Sequence, residues 1–116
     1  MSGASAAAAA PVFAALGDAT RLALVSRLDD GRPRSIARLS EGFDLTRQGV
    51  SKHLKVLEDA GVVRSERVGR ESQYVIDLAA IREARDYLAR VGAQWDDALG
   101  RLKAFAEDGV AEDGGK

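Results

Sequence analysis

Residues 46–61, TRQGVSKHLKVLEDAG, form a helix with both of its ends marked. Thr46 is a capping residue, whose side-chain oxygen takes a free backbone N–H of the first turn. Gly61 supplies the residue at which a helix stops. Between them Val50, Leu54 and Leu57 recur at i, i+4 and i+7, which sets one apolar face. Gln48, Ser51, Lys52 and Lys55 fall opposite, with Thr46 and Arg47 in the first turn. Gln matches adenine and Arg matches guanine bidentately, and Ser reaches several base edges. Lys suits phosphates, which carry affinity rather than sequence. Taken alone, this face also reads as an ordinary solvated surface.

Two residues of this helix stay open. His53 lies between the apolar and polar faces, where contact with DNA and packing both fit. Gly49 costs about 1 kcal/mol relative to Ala in a helix. A close approach to DNA or to the preceding helix, or mere tolerance, each accounts for it.

Upstream, Ser35 caps a helix with Ile36, Leu39 and Phe43 on its apolar face. Asp44 is placed at the tight turn between the two helices, because Asp tolerates the left-handed conformation better than most residues. Two helices joined so closely form a helix-turn-helix. Before them, Arg32-Pro33-Arg34 reads as a loop, and Asp18 caps a helix carrying Leu22, Val25 and Leu28 as far as Asp29-Asp30-Gly31. Pro11–Leu16 is a short first helix, ended by Gly17.

Downstream, Val62–Val68 reads as a strand, Gly69-Arg70-Glu71 as a turn and Gln73–Ile76 as the returning strand. This hairpin is a wing bearing Arg64, Arg67 and Arg70. An arginine at its tip reaches a minor groove or a phosphate; a charged edge guarding the hairpin is the plainer reading. Asp77 caps a last helix running to about Phe105, roughly 40 Å long. Ile81, Leu88, Trp95 and Leu102 occupy one heptad position, and Ala84, Val91, Ala98 and Phe105 the other. The stripe outlasts the domain. It therefore predicts a dimer interface of Phe13, Ile81, Leu88, Val91, Trp95, Leu99, Leu102 and Phe105, with packing against the first helix as the alternative.

The expected architecture is mainly α with a two-stranded β wing, a winged helix-turn-helix of five helices per subunit in a homodimer. Residues 1–10 are expected to be a flexible arm and 107–116 a flexible tail. The domain spans 11–106, with a dimerisation helix over 77–106.

Composition fits an ordinary soluble chain: 116 residues, 46% hydrophobic and 30% charged. No apolar run approaches the roughly 20 residues that cross a bilayer. The first ten residues lack the pattern of a signal peptide. Zero cysteines exclude disulfides and thiolate metal sites and are compatible with the cytoplasm. The net charge is −1, but residues 32–70 hold nine basic and five acidic side chains, an excess that suggests an anion-binding surface. One histidine without cysteine makes no ordinary zinc site. No catalytic triad, P-loop or dinucleotide fingerprint is present, so no enzyme is indicated and no cofactor.

Gly17-Asp18-Ala19-Thr20-Arg21-Leu22 resembles the opening of ArsR-type repressors, with Ala19 where a proline is typical. TRQGVSKHLKVLEDAG resembles their recognition helix, and VVRSERVGRESQYVID their wing. The resemblance covers about Val12 to Ile76. It implies a homodimer in which Thr46, Arg47, Gln48, Ser51, Lys52 and His53 face operator DNA. Classical members sense metals through Cys in the third helix, or His and Asp/Glu in the last. Here the third helix reads Ser35-Ile36-Ala37-Arg38-Leu39 and the last has no His. The metal-sensing function is therefore not expected, and no effector is named. The expected partners are double-stranded DNA and a second copy of the chain, with no membrane. A protein-binding winged helix is the alternative.

Overall fold

The computed structural model describes residues 6–112, with side chains to residue 108. Its elements are α1 (Ala6–Leu16), α2 (Ala19–Ser26), β1 (Arg34–Ser35), α3 (Ile36–Ser40), α4 (Arg47–Asp59), β2 (Val63–Val68), β3 (Glu71–Ile76) and α5 (Leu78–Glu112). This is the winged helix-turn-helix expected.

The core is built around α4. Val50, Leu54 and Leu57 are fully buried against Leu24, Leu28, Leu39 and Val62. Burying a side chain of this size contributes about 1.5–3 kcal/mol. Both ends of α4 are closed as the sequence indicates. The Thr46 hydroxyl accepts from the Gly49 N–H at 3.0 Å. At the other end Gly61 (φ +81) lets two N–H groups turn back, Val62 to the Leu57 carbonyl and Gly61 to that of Glu58, each at 2.9 Å. This pair of bonds is a Schellman motif. Asp77 caps α5 through the Ala79 N–H at 3.0 Å.

Several details differ from expectation. The left-handed residue of the α3–α4 turn is Gly42 (φ +82), not Asp44, and no other residue type among those described takes a positive φ. Glycine meets no Cβ clash there. In α2 the buried residue is Leu24, while Leu22 is 50% exposed. The helix is short, and the Arg21 side chain reaches the Ala15 carbonyl and His53, which fixes its rotation. Arg34 is not loop: β1 adds to β3, with Arg34 opposite Tyr74 and Ser35 opposite Gln73, so the sheet has three strands in the order β1-β3-β2. A two-residue strand leaves no alternation in the sequence to read. The wing pairs to Val68↔Glu71, two residues earlier than expected, so its loop is Gly69-Arg70 with Gly69 at φ +64.

Both terminal helices are longer than expected. α1 begins at Ala6, so the second half of the stretch expected as an arm is helical. Residues 1–5 lie outside the described residues. Pro11 removes one helical N–H, but the surrounding alanines are the strongest helix formers, and Ala9, Val12 and Ala15 are buried. α5 continues to Glu112, through part of the expected tail and across Gly92, Gly100 and Gly109; residues 113–116 lie outside the described residues. Among the described residues no single helix is long and apolar enough to cross a membrane.

The expected seam on α5 divides in two. Ala84 is buried and Ile81 packs on the core, while Phe13 of α1 meets Tyr87 with ring centroids 5.9 Å apart. Packing against the first helix therefore accounts for this proximal part. Beyond it Leu88, Trp95 (63%), Leu99, Leu102 and Phe105 (75%) are exposed in the single chain, and Val91 is half-buried. Trp95 does not lie between α1 and α5.

Gly49 within α4 and Gly61 just beyond its end are expected to respond oppositely to alanine. At Gly61 a Cβ meets nothing within 4 Å, so only backbone strain remains. Gly61→Ala lowers stability by about 1–2 kcal/mol. At Gly49 the nearest atoms to a Cβ are Thr46 Oγ1 at 3.5 Å and Leu45 side-chain carbons, an ordinary contact, and α3 is not among them. Gly49→Ala therefore raises stability by about 0.5–1 kcal/mol. Denaturant titration reads both.

Candidate nucleic-acid interface

Because the buried stripe of α4 faces the core, its other side is presented outward. Arg47, Gln48, Lys52 and Lys55 are exposed and Ser51 is half-buried. Arg47, Gln48 and Ser51 line a groove of about 470 Å³ with Ser35, Ile36 and Ala37 on one side and Glu71 and Ser72 of the wing on the other. The wing is thereby joined to the reading helix through one concave surface. Glu71 and Ser72 were not expected here; they belong to the strand that starts two residues early.

Each expected residue has a definite place. Thr46 uses its hydroxyl oxygen as the cap. Lys55 is bonded to Asp59 at 3.0 Å, which raises its pKa. The pair is exposed, and such pairs are weak. In the wing, Ser65 donates to Glu58 of α4 at 2.8 Å. Strand alternation puts Arg67 on the face of Ser65 and Arg64 on the other, where Arg64 lies 4.0 Å from Asp77. Arg67 and Arg70 are exposed. Arg67 leans back over the turn, 3.4 Å from the Gly69 carbonyl.

His53 is held from behind. Arg21 Nη1 lies 3.2 Å from its Nδ1, and Asp18 Oδ2 lies 3.8 Å away. A guanidinium only donates, so Nδ1 is the acceptor in this contact. These contacts pack the ring on its Nδ1 side only, and the ring is half-buried. Asp18 also accepts from the Arg21 N–H at 3.1 Å as the cap of α2. Linear spacing gave Asp18 its cap but no signal tying Arg21 to His53, which lies 32 residues away.

Arg27 was likewise missed. Its Nη1 donates to the carbonyls of Leu39, at 2.9 Å, and Glu41, and its guanidinium lies 4.2 Å over the Phe43 ring. It ties the helix before the motif to the turn within it.

Among the described residues no three His, Cys, Asp or Glu side chains converge.

An exposed polar helix as the second member of a helix-turn-helix, with a β hairpin sharing its groove, defines a winged helix-turn-helix DNA-binding protein. The helix-turn-helix domain family matches residues 16–66. The chain is 43% identical over 65 residues to the uncharacterized HTH-type transcriptional regulator YuzN of Bacillus subtilis, a match covering 51% of this chain and 71% of that protein. It superposes on an ArsR-like transcriptional regulator from Rhodococcus sp. RHA1 with a TM-score of 0.73 and 37% identity, covering 86% of this chain and 93% of that one. It is also similar to the homodimeric winged helix-turn-helix DNA-binding domain Mb0332 of Mycobacterium bovis, with a TM-score of 0.61, 26% identity and coverage of 81% and 91%. The chain belongs to the ArsR family of winged helix-turn-helix transcription regulators.

Asp18 makes a small part of the stability depend on acid pH. The hydrogen bond from the Arg21 backbone N–H chiefly holds its carboxyl below the usual value of 3.8, with desolvation opposing and the Arg21 charge adding to the lowering. A folded pKa below the unfolded one contributes stability above about pH 4 that is lost as pH falls through the folded value. Asp18→Asn keeps a capping side chain but not the charge. Its melting temperature should fall below wild type at pH 7, and the gap should close toward pH 2.5. A gap constant with pH would contradict the assignment.

Proposed function

We propose that the protein represses transcription as a homodimer that reads an inverted repeat in its operator through α4, without a metal effector. The observation that carries this reading is the pairing of faces on α4: the apolar side is fully buried while Arg47, Gln48 and Lys52 project beside the wing groove. Arg47 and Gln48 then discriminate bases. Lys52, Lys55, Arg67 and Arg70 bind phosphates. A dimer bound over a promoter represses by excluding polymerase.

Dimerisation is supported by the distal half of α5. Leu88, Trp95, Leu99, Leu102 and Phe105 leave an apolar seam that the single chain does not cover. Such an exposed stripe marks an association surface, and Mb0332 is a homodimer. A two-fold dimer of such modules places its reading helices about one or more DNA turns apart.

Footprinting on the DNA upstream of the gene tests the operator. Two protected half-sites related by inversion are expected. A single asymmetric site protected by monomer, or binding to a protein partner with no affinity for DNA, contradicts the reading. Gln48→Ala should cost roughly 1–3 kcal/mol at the operator and little on random duplex, while Lys52→Ala weakens both alike. Equal proportional losses in the two variants would sink that division of labour.

Trp95 reports on the seam. Its emission should shift to the blue as the chain associates on concentration, and Trp95→Ala should lower dimer content and DNA affinity together. Emission typical of water-exposed tryptophan in the dimer opposes the assignment. Micromolar zinc, nickel or cobalt should leave operator binding unchanged, because no Cys or second His supplies their preferred ligands. A stoichiometric loss that chelator reverses would overturn that part.

A further inference from the structure

We propose that Arg27, Arg34 and Arg38 form a phosphate-binding site at the corner where α2, β1 and α3 meet. The three arginines line one concavity of about 320 Å³, together with Leu39 and Glu41. Leu39 is its only apolar lining residue, so the space does not suit an apolar ligand.

Arg27 is the fixed member of the group. Its Nη1 is bonded to the Leu39 and Glu41 carbonyls and its plane rests on Phe43. Carbonyl oxygens hold a guanidinium without cancelling its charge. Among the described residues no carboxylate lies within 4.0 Å of it as an ion pair. A half-buried, oriented cation facing a concavity is the arrangement an anion needs. Its clamping role explains Arg27 but not the convergence of the other two.

Arg38 is the adjustable member, and Arg34 is held in place beside it. Arg34 pairs with Asp30 at 2.7 Å, with its side chain 28% exposed. Arg38 reaches Glu41 only at 4.0 Å, and both side chains are mostly exposed. An exposed pair at that distance holds little, so Arg38 can exchange Glu41 for a stronger acceptor. Guanidinium forks match phosphate oxygens in bidentate geometry. Three of them around one space favour a phosphate over a single carboxylate.

The phosphate has two possible sources. The β1–α3 segment gives Ser35, Ile36 and Ala37 to the reading groove and Arg34, Arg38 and Leu39 to this one. The two sites flank the same few residues, which makes a backbone phosphate of bound duplex the first source. A free phosphate compound is the second. Only the first rests on the DNA-binding reading above.

The test uses the full chain as wild type, Arg38→Gln and a charge-matched control, Lys103→Gln on the exposed side of α5. In one arm each protein binds a random-sequence duplex between 50 and 200 mM NaCl. In the other, inorganic phosphate and pyrophosphate are titrated at constant ionic strength, and the arginine Nε–H resonances are followed by NMR. If the source is DNA, Arg38→Gln lowers the slope of log affinity against log salt by about one, and the control does not. The affinity deficit at 50 mM is then about three- to fourfold larger than at 200 mM. If the source is a free phosphate, the Arg27 and Arg38 resonances shift saturably in wild type and the control, Arg38→Gln binds at least tenfold more weakly, and the salt slopes agree. Equal slopes with no saturable shift overturn the proposal. A wild-type chain that binds pyrophosphate at these arginines but no duplex keeps this site and refutes the DNA reading instead.

Discussion

Everything that follows in this molecule depends on how α4 is seated. Val50, Leu54 and Leu57 are sunk completely into the core formed by α2, α3 and the start of the wing. Truncating one such leucine to alanine typically costs about 2–5 kcal/mol, far more than any of the exposed ion pairs contributes. That burial decides which side chains of the helix are left outside. Arg47, Gln48 and Lys52 are outside because three apolar neighbours are inside. The caps at Thr46 and Gly61 fix where the helix begins and ends. Arg21 and Arg27 fasten it and its turn to α2 by polar contacts. A reading face needs such fastening, since a base contact fails when its side chain is displaced by about an ångström.

The domain and the projecting half of α5 divide the labour. The described residues extend 75 Å along their longest axis, and at 1.5 Å per residue α5 accounts for about 52 Å. Its first turns close the core over α1. Its last turns carry large apolar side chains away from it. Trp95, Leu102 and Phe105 bury nothing of the chain's own core at those positions. Charge follows the same division: basic side chains gather in the helix-turn-helix and wing, and acidic ones outnumber them elsewhere.

What the sequence made legible was strong local periodicity with marked ends. α4 could be read nearly to the residue because an i, i+4, i+7 stripe sits between a threonine cap and a glycine stop. The hairpin was legible from its β-branched residues and Gly69, although its returning strand was placed two residues too late. The left-handed turn residue went to Asp44 because both Gly42 and Asp44 suit turns, and only the backbone path separates them. Leu22 was expected inside and Leu24 is found there. An eight-residue helix has too few apolar positions to fix its own rotation, and a tertiary contact from Arg21 fixes it. β1 exists only by pairing with β3. The contacts of Arg21 with His53, of Arg27 with Phe43, and the gathering of three arginines at one corner join residues far apart in the chain, and no spacing rule reports them.

The most direct test of this account is a chemical-shift map of the isotope-labelled protein titrated with duplex DNA that contains its operator. Amide and side-chain shifts should concentrate at residues 46–55 and at the wing tip, residues 67–72. The buried Val50, Leu54 and Leu57 methyls and the exposed distal half of α5 should change little beyond the general broadening of a larger complex. Shifts centred on α5, or none on α4 at saturating DNA, would contradict the claim that the seating of α4 is what makes this chain a reader of DNA.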